Sequence, residues 1–205
     1  MHLLQLILLT LLSLSFLKPS KTAVTITGFD LGATALIPAE TGITILGNTN
    51  YNLGWTVSRA GDINKDGYDD VLVSSHTQDT NRGTVYVIYG GPTSSLGDIS
   101  LAPGLLDPAK GFTLKGNAQN DFFGFSMGPA GDVNKDGYDD IIIGAHKKNN
   151  YQGAVYVIYG NDKDSLSDID FSATPTLDPK TTGFIITGND EEDYFGYSVN
   201  TAGDI

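Results

Sequence analysis

One ten-residue phrase constrains this chain more than any other feature. Gly61-Asp62-Ile63-Asn64-Lys65-Asp66-Gly67-Tyr68-Asp69-Asp70 returns 70 residues later as Gly131-Asp132-Val133-Asn134-Lys135-Asp136-Gly137-Tyr138-Asp139-Asp140, and a third copy opens at Gly203-Asp204-Ile205. A chain that repeats at such an interval is built from copies of one supersecondary unit, each too small to bury its own apolar face, so the copies must stack. The third copy breaks off with a single possible ligand, Asp204. No third site is expected there, and the chain reads as a piece of a longer protein.

The repeat extends well beyond the phrase. Leu53-Gly54, Phe123-Gly124 and Phe195-Gly196 recur in step, and Gly83-Thr84-Val85-Tyr86-Val87-Ile88-Tyr89-Gly90 matches Gly153-Ala154-Val155-Tyr156-Val157-Ile158-Tyr159-Gly160. The linkers correspond too: Ser95-Leu96-Gly97-Asp98-Ile99 matches Ser165-Leu166-Ser167-Asp168-Ile169. They therefore belong to the repeat and mark no domain boundary. The units run over residues 28–97, 98–167 and, truncated, 168–205. Each reads as four short strands, in the first copy Ile43–Leu46, Gly54–Ser58, Asp70–Ser74 and Thr84–Tyr89, bounded by Gly, Asn and Asp turns. The runs Val71-Leu72-Val73 and Ile141-Ile142-Ile143 are apolar on both faces, so that strand must be buried between layers. The fold class is all-β, a radial array or solenoid of four-stranded units.

The phrase places oxygen side chains at alternate positions around a glycine bend, which is how a short loop wraps a hard cation. In the first copy Asp62, Asn64 and Asp66 supply side-chain oxygens, Tyr68 its carbonyl, and Asp70 closes the shell. In the second the set is Asp132, Asn134, Asp136, the Tyr138 carbonyl and Asp140. Calcium suits six to eight oxygens at flexible geometry; magnesium demands a tighter octahedron, and zinc wants Cys or clustered His. An EF-hand would need Glu at the twelfth loop position, where Val73 and Ile143 stand inside a strand. A dockerin would follow the loop with a helix and repeat at a shorter interval.

Charge and targeting agree with this reading. The net charge is -12, half of it from the two phrases at about -3 each, and no basic stripe invites nucleic acid. There is no cysteine, so bound calcium rather than disulfides would staple the loops. Residues 1–23 read as a signal peptide, with an apolar core from Leu3 to Leu17, too short for a membrane span. The mature protein is expected to be secreted or on the extracellular face of the cell, with membrane attachment only through a part absent here.

These motifs resemble FG-GAP repeats, the blades of the integrin α-subunit β-propeller. Phe123-Gly124-Phe125-Ser126-Met127 and Phe195-Gly196-Tyr197-Ser198-Val199 resemble the Phe-Gly half, and Gly144-Ala145-His146 the Gly-Ala-Pro half with His for Pro. The first copy is weaker, with Leu53-Gly54-Trp55 and Ser74-Ser75-His76. The resemblance implies an incomplete propeller of about two and a half four-stranded blades, with calcium in the acidic loops and with partners on the loops of one face. The last strand edge of such a piece is expected to be unpaired. The resemblance further implies adhesion or ligand recognition by a non-catalytic segment, its partner an extracellular protein or glycan. The alternative is an accessory of a secreted hydrolase similar to glycosylphosphatidylinositol phospholipase D. No nucleophile elbow, phosphate loop or zinc-protease helix is present. His76 and His146 are expected to be structural, and Tyr86, Tyr89, Tyr156 and Tyr159 to pack within strands.

Overall fold

The computed structural model describes residues 23–27, 42–47, 51–92, 98–101 and 106–201, so the expected leader lies outside it apart from Ala23, as does Asp204. The described residues form twelve strands: β1 (Ala23–Thr27), β2 (Gly42–Leu46), β3 (Val57–Gly61), β4 (Asp70–Ser75), β5 (Thr84–Ile88), β6 (Ile99–Ser100), β7 (Gly111–Lys115), β8 (Ser126–Gly131), β9 (Asp140–Ala145), β10 (Ala154–Ile158), β11 (Ile169–Asp170) and β12 (Gly183–Thr187). They make three sheets, ordered β1-β2-β6, β11-β7-β5-β4-β3 and β12-β10-β9-β8. The all-β expectation holds, and the sheets do not close into a ring.

The frame of the blade differs from the frame of the sequence repeat. The strand expected first in the unit, Ile43–Leu46, pairs with β1 and β6, not with β4 or β5. The fourth strand of the first complete blade is β7, which arrives after the linker and pairs antiparallel with β5. In the same way β12 completes the blade of β8, β9 and β10. Each blade is thus closed by the opening strand of the following sequence unit. The strand expected over Gly54–Ser58 also moves, to Val57–Gly61. Asn52 to Trp55 form a tight turn instead, closed by the Trp55 amide on the Asn52 carbonyl at 3.1 Å, with Gly54 at φ +83°.

The β4 and β9 runs are buried as their composition requires: Leu72, Val73, Ile141 and Ile143 are fully covered. Between the two complete blades lies a core that includes Leu72, Val87, Phe123, Ile141, Tyr156 and Phe171. A second core, with Ile45, Leu53, Tyr86 and Leu101, joins the first blade to the β1-β2-β6 sheet. Tyr86, Tyr89, Tyr156 and Tyr159 are all buried; Tyr86 and Tyr156 lie within β5 and β10, and Tyr89 and Tyr159 stand one residue past those strands.

The hairpins after β4 and β9 turn through three consecutive left-handed residues, Asp79-Thr80-Asn81 and Asn149-Asn150-Tyr151. Their carbonyls accept amides of the next Phe-Gly turn: Phe122 donates to Asn81 at 2.9 Å and Tyr194 to Tyr151 at 2.7 Å. Those bonds satisfy backbone groups that a left-handed turn leaves without a ladder partner.

Candidate metal centre

A β-bulge delivers the chain into each acidic loop. The β3–β4 register shifts between Arg59 and Gly61, and the β8–β9 register between Pro129 and Gly131, with Gly61 and Gly131 at φ +79° and +75°. The loop then folds on its own side chains. The Asp62 carboxylate accepts the amides of Asp66 and Gly67, both at 2.9 Å. Asn64 Oδ1 accepts the Asp66 amide at 2.9 Å, and Asp66 Oδ1 accepts that of Tyr68 at 3.0 Å. The second loop repeats every bond: Asp132 holds Asp136 and Gly137 at 3.0 and 2.9 Å, Asn134 holds Asp136 at 3.0 Å, and Asp136 holds Tyr138 at 2.9 Å. Lys65 and Lys135 stand at φ +60° and +62°, and Gly67 and Gly137 at +90°, so the bend falls where the glycine was expected.

Asp70 and Asp140 are placed differently from the other candidates. Both are fully buried at the start of their strands. Asp70 accepts the Ile63 amide at 3.0 Å and the Gly90 amide at 2.7 Å; Asp140 accepts those of Val133 and Gly160 at 2.7 and 2.9 Å. Burial pushes the Asp70 carboxyl up to about 7 against these amide bonds, with Asp66 and Asp62 adding repulsion. Asp140 is pushed up to about 6 by burial in the same setting. Among the described residues no three His, Asp or Glu side chains are gathered closely enough to hold an ion as they stand.

The donor chemistry nevertheless fits a hard cation. Every candidate ligand is an oxygen, and each loop carries four Asp against one Lys. An ionised carboxylate has about four lone-pair sites, so one amide bond per oxygen leaves capacity for a metal. A carboxyl driven toward neutrality by burial and by two like neighbours is a group that a divalent cation would return to its charged form.

The loops also touch each other. Asp139 Oδ2 accepts the Asp62 amide at 2.8 Å, the Asp139 amide reaches the Asp62 carbonyl at 3.3 Å, and Asn161 donates to the Ile63 carbonyl at 3.0 Å. Lys65 Nζ lies 5.2 Å from the centre of the Tyr138 ring. In sequence Asp139 is one more acidic loop residue, and its place next to Asp140, equivalent to that of Asp69, is its one local signal.

The opposite end of the strands is aromatic. His76 is 4.5 Å from Trp55, and His146 is 4.3 Å from Phe125 and 5.1 Å from Tyr197, centroid to centroid. Both imidazoles are buried with Nδ1 lacking a hydrogen-bond partner, and burial lowers each to about 4. This is packing chemistry, in keeping with the structural role expected of the two His.

Four-stranded blades joined through Phe-Gly turns, each with an acidic loop between its first two strands, define the class as FG-GAP propeller blades. A family model for the FG-GAP repeat matches residues 53–88 and 123–158, so the chain carries two FG-GAP repeats. Over 152 residues it is 32% identical to integrin alpha pat-2 of Caenorhabditis elegans, a match covering 64% of this chain and 12% of that relative. It is 36% identical over 123 residues to phosphatidylinositol-glycan-specific phospholipase D of Mus musculus, covering 56% of this chain and 14% of the relative. With integrin alpha-10 of Homo sapiens it shares 34% over 104 residues, 48% of this chain and 8% of the other. The chain thus spans between 8% and 14% of the length of these relatives.

Proposed function

We propose that the chain is a calcium-braced, non-catalytic propeller segment that works outside the cell in adhesion or ligand recognition. The observation that carries this reading is the same lattice of backbone amides donating to side-chain oxygens in both loops, centred on Asp62, Asn64 and Asp66 and on Asp132, Asn134 and Asp136. Calcium at these side chains, with the Tyr68 and Tyr138 carbonyls and Asp70 and Asp140, would neutralise the loop charge and brace each bulge. Its affinity would be on the order of 0.1–1 mM, as in other extracellular calcium modules. The partner is an extracellular protein or glycan, met by the aromatic end of the blades, where Trp55 and Tyr197 are more than half exposed. Among the described residues no helix is long and apolar enough to cross a membrane.

The phospholipase D relatives support a second reading, in which the blades accompany a hydrolase domain. A receptor-type membrane anchor or a hydrolase domain elsewhere in the full-length protein separates the two.

Calorimetric titration with calcium, alongside thermal unfolding, tests the metal. Two sites and a raised Tm, both lost in Asp66→Ala/Asp136→Ala, are expected. A folded chain that takes up no calcium overturns the reading.

A further inference from the structure

Two strands of this chain have their outer edge covered in the same way. β6 lies parallel to β2, with Ile99 opposite Ile45, and β11 lies parallel to β7, with Ile169 opposite Leu114. Just before each covering strand stands an Asp. Asp98 Oδ1 accepts the Thr44 amide at 2.9 Å, and Asp168 Oδ1 accepts the Thr113 amide at 2.7 Å. Just after each stands a buried anchor that donates to the last carbonyl of the covered strand: Leu101 to Leu46 at 2.8 Å and Phe171 to Lys115 at 3.0 Å. Leu101 joins Leu53 and Tyr86 in one core, while Phe171 packs 5.5 Å from Phe123 and 4.6 Å from Tyr156. The shared cover is Asp-Ile-x-Leu or Phe, with one side chain on an edge amide and one apolar side chain under the Phe-Gly turn.

β12 is the third strand of this kind, and among the described residues no strand lies on its outer side. The lack of a cover is visible in two places. Ile186, the counterpart of Ile45 and Leu114, is 45% exposed where both of those are 0%. Phe195, the counterpart of Leu53 and Phe123, is 38% exposed where those are 5% and 0%. The position that Leu101 and Phe171 fill elsewhere has no occupant among the described residues here. A strand edge with free amides and apolar residues beside it is a template for strand addition.

We infer that the outer edge of β12, from Ile185 to Thr187 together with Phe195, is a docking site for a parallel segment of the form Asp-Ile-x-Phe or Asp-Ile-x-Leu, supplied by a further repeat of this type. Its Asp takes the Ile185 amide, its Ile lies against Ile186, and its anchor side chain covers Phe195. The inference stands apart from the calcium reading, since none of these residues lies in an acidic loop.

The probe is a capped peptide with the sequence of residues 165–171, Ser-Leu-Ser-Asp-Ile-Asp-Phe, titrated into the isotope-labelled full chain with amide chemical shifts recorded. Saturable shifts at Ile185, Ile186, Thr187 and Phe195 are expected. A peptide with Asn in place of its first Asp, the counterpart of Asp168, or Ala in place of its Phe, should bind about tenfold more weakly, a charge-assisted hydrogen bond or a buried anchor being lost. Three results overturn the inference: no saturable shift at a formed or unformed β12; shifts centred on Thr113 and Leu114, meaning that the peptide displaces β11; or equal binding by the Asn peptide.

Discussion

Asp139 holds the backbone of Asp62 from the neighbouring blade, its carboxylate on the Asp62 amide at 2.8 Å and its own amide 3.3 Å from the Asp62 carbonyl. A residue that is not itself a candidate ligand therefore sets the position of one that is. Asp139→Ala should cost about 1–3 kcal/mol by leaving a partly buried amide without its acceptor. It should also weaken calcium uptake at the first loop several-fold while sparing the second. Asp69, its counterpart, instead meets Arg59 at 2.6 Å with both side chains more than half exposed, so Asp69→Ala should shift stability by less than about 1 kcal/mol. Thermal unfolding and calcium titration of the two variants make the comparison.

Gly61 and Gly67 both need a left-handed backbone, at φ +79° and +90°, yet only Gly61 is crowded. A Cβ there would run into the Asp139 carboxylate, whereas nothing lies near the corresponding point at Gly67. Gly67→Ala should cost the backbone strain alone, about 1–2 kcal/mol. Gly61→Ala should cost clearly more, and should lose only part of that excess when combined with Asp139→Ala, which removes the carboxylate but keeps the Cβ of residue 139 at 2.7 Å. Denaturant midpoints of the three variants test the coupling.

Acid should weaken the aromatic end of the blades. Burial lowers His76 and His146 from 6.5 to about 4, so folding favours their neutral forms. Their contribution is complete above pH 6.5 and is lost as pH falls from there through 4, because the unfolded chain binds the protons first. Replacing both with Phe should flatten this part of the profile. The difference in urea midpoint between the two chains at pH 7 and at pH 5 isolates the imidazoles from every carboxylate they share.

The two Phe-Gly phenylalanines should respond unequally to truncation. Phe123 is wholly buried against Tyr156 and Phe171, so Phe123→Ala should cost about 3–5 kcal/mol. Phe195→Ala, at a site 38% exposed, should cost no more than about 1 kcal/mol in the chain alone. Equal losses would mean that β12 is covered in solution.

The acidic loops, their glycine bends and the all-β character were legible because they depend on residues close together in sequence. The alternating oxygens of Asp62, Asn64 and Asp66 meet within five residues, and the apolar run at Ile141 to Ile143 states its own burial. The blade frame was not legible, since nothing local in Gly111–Lys115 says that it pairs with β5 and not with the strand that follows it. The second strand begins later than the strand-like side chains of Trp55 and Thr56 suggest, because the Asn52–Trp55 turn is fixed by Gly54 and by contact with Ser74 across the blade. Asp98, Asp139 and Asp168 are ordinary turn residues in sequence. Their roles appear only when the amides of Thr44, Asp62 and Thr113 are brought to them from 54 to 77 positions away.

Because every blade is completed by the strand that opens the next unit, the seam along which the sequence duplicates is not a seam along which the protein separates. An added copy of the 70-residue unit closes the blade before it with its first strand and is itself closed by whatever unit comes after. Lengthening such an array by gene duplication leaves no junction to be redesigned, and each new member is bound in place by its neighbours' backbone from the moment it folds.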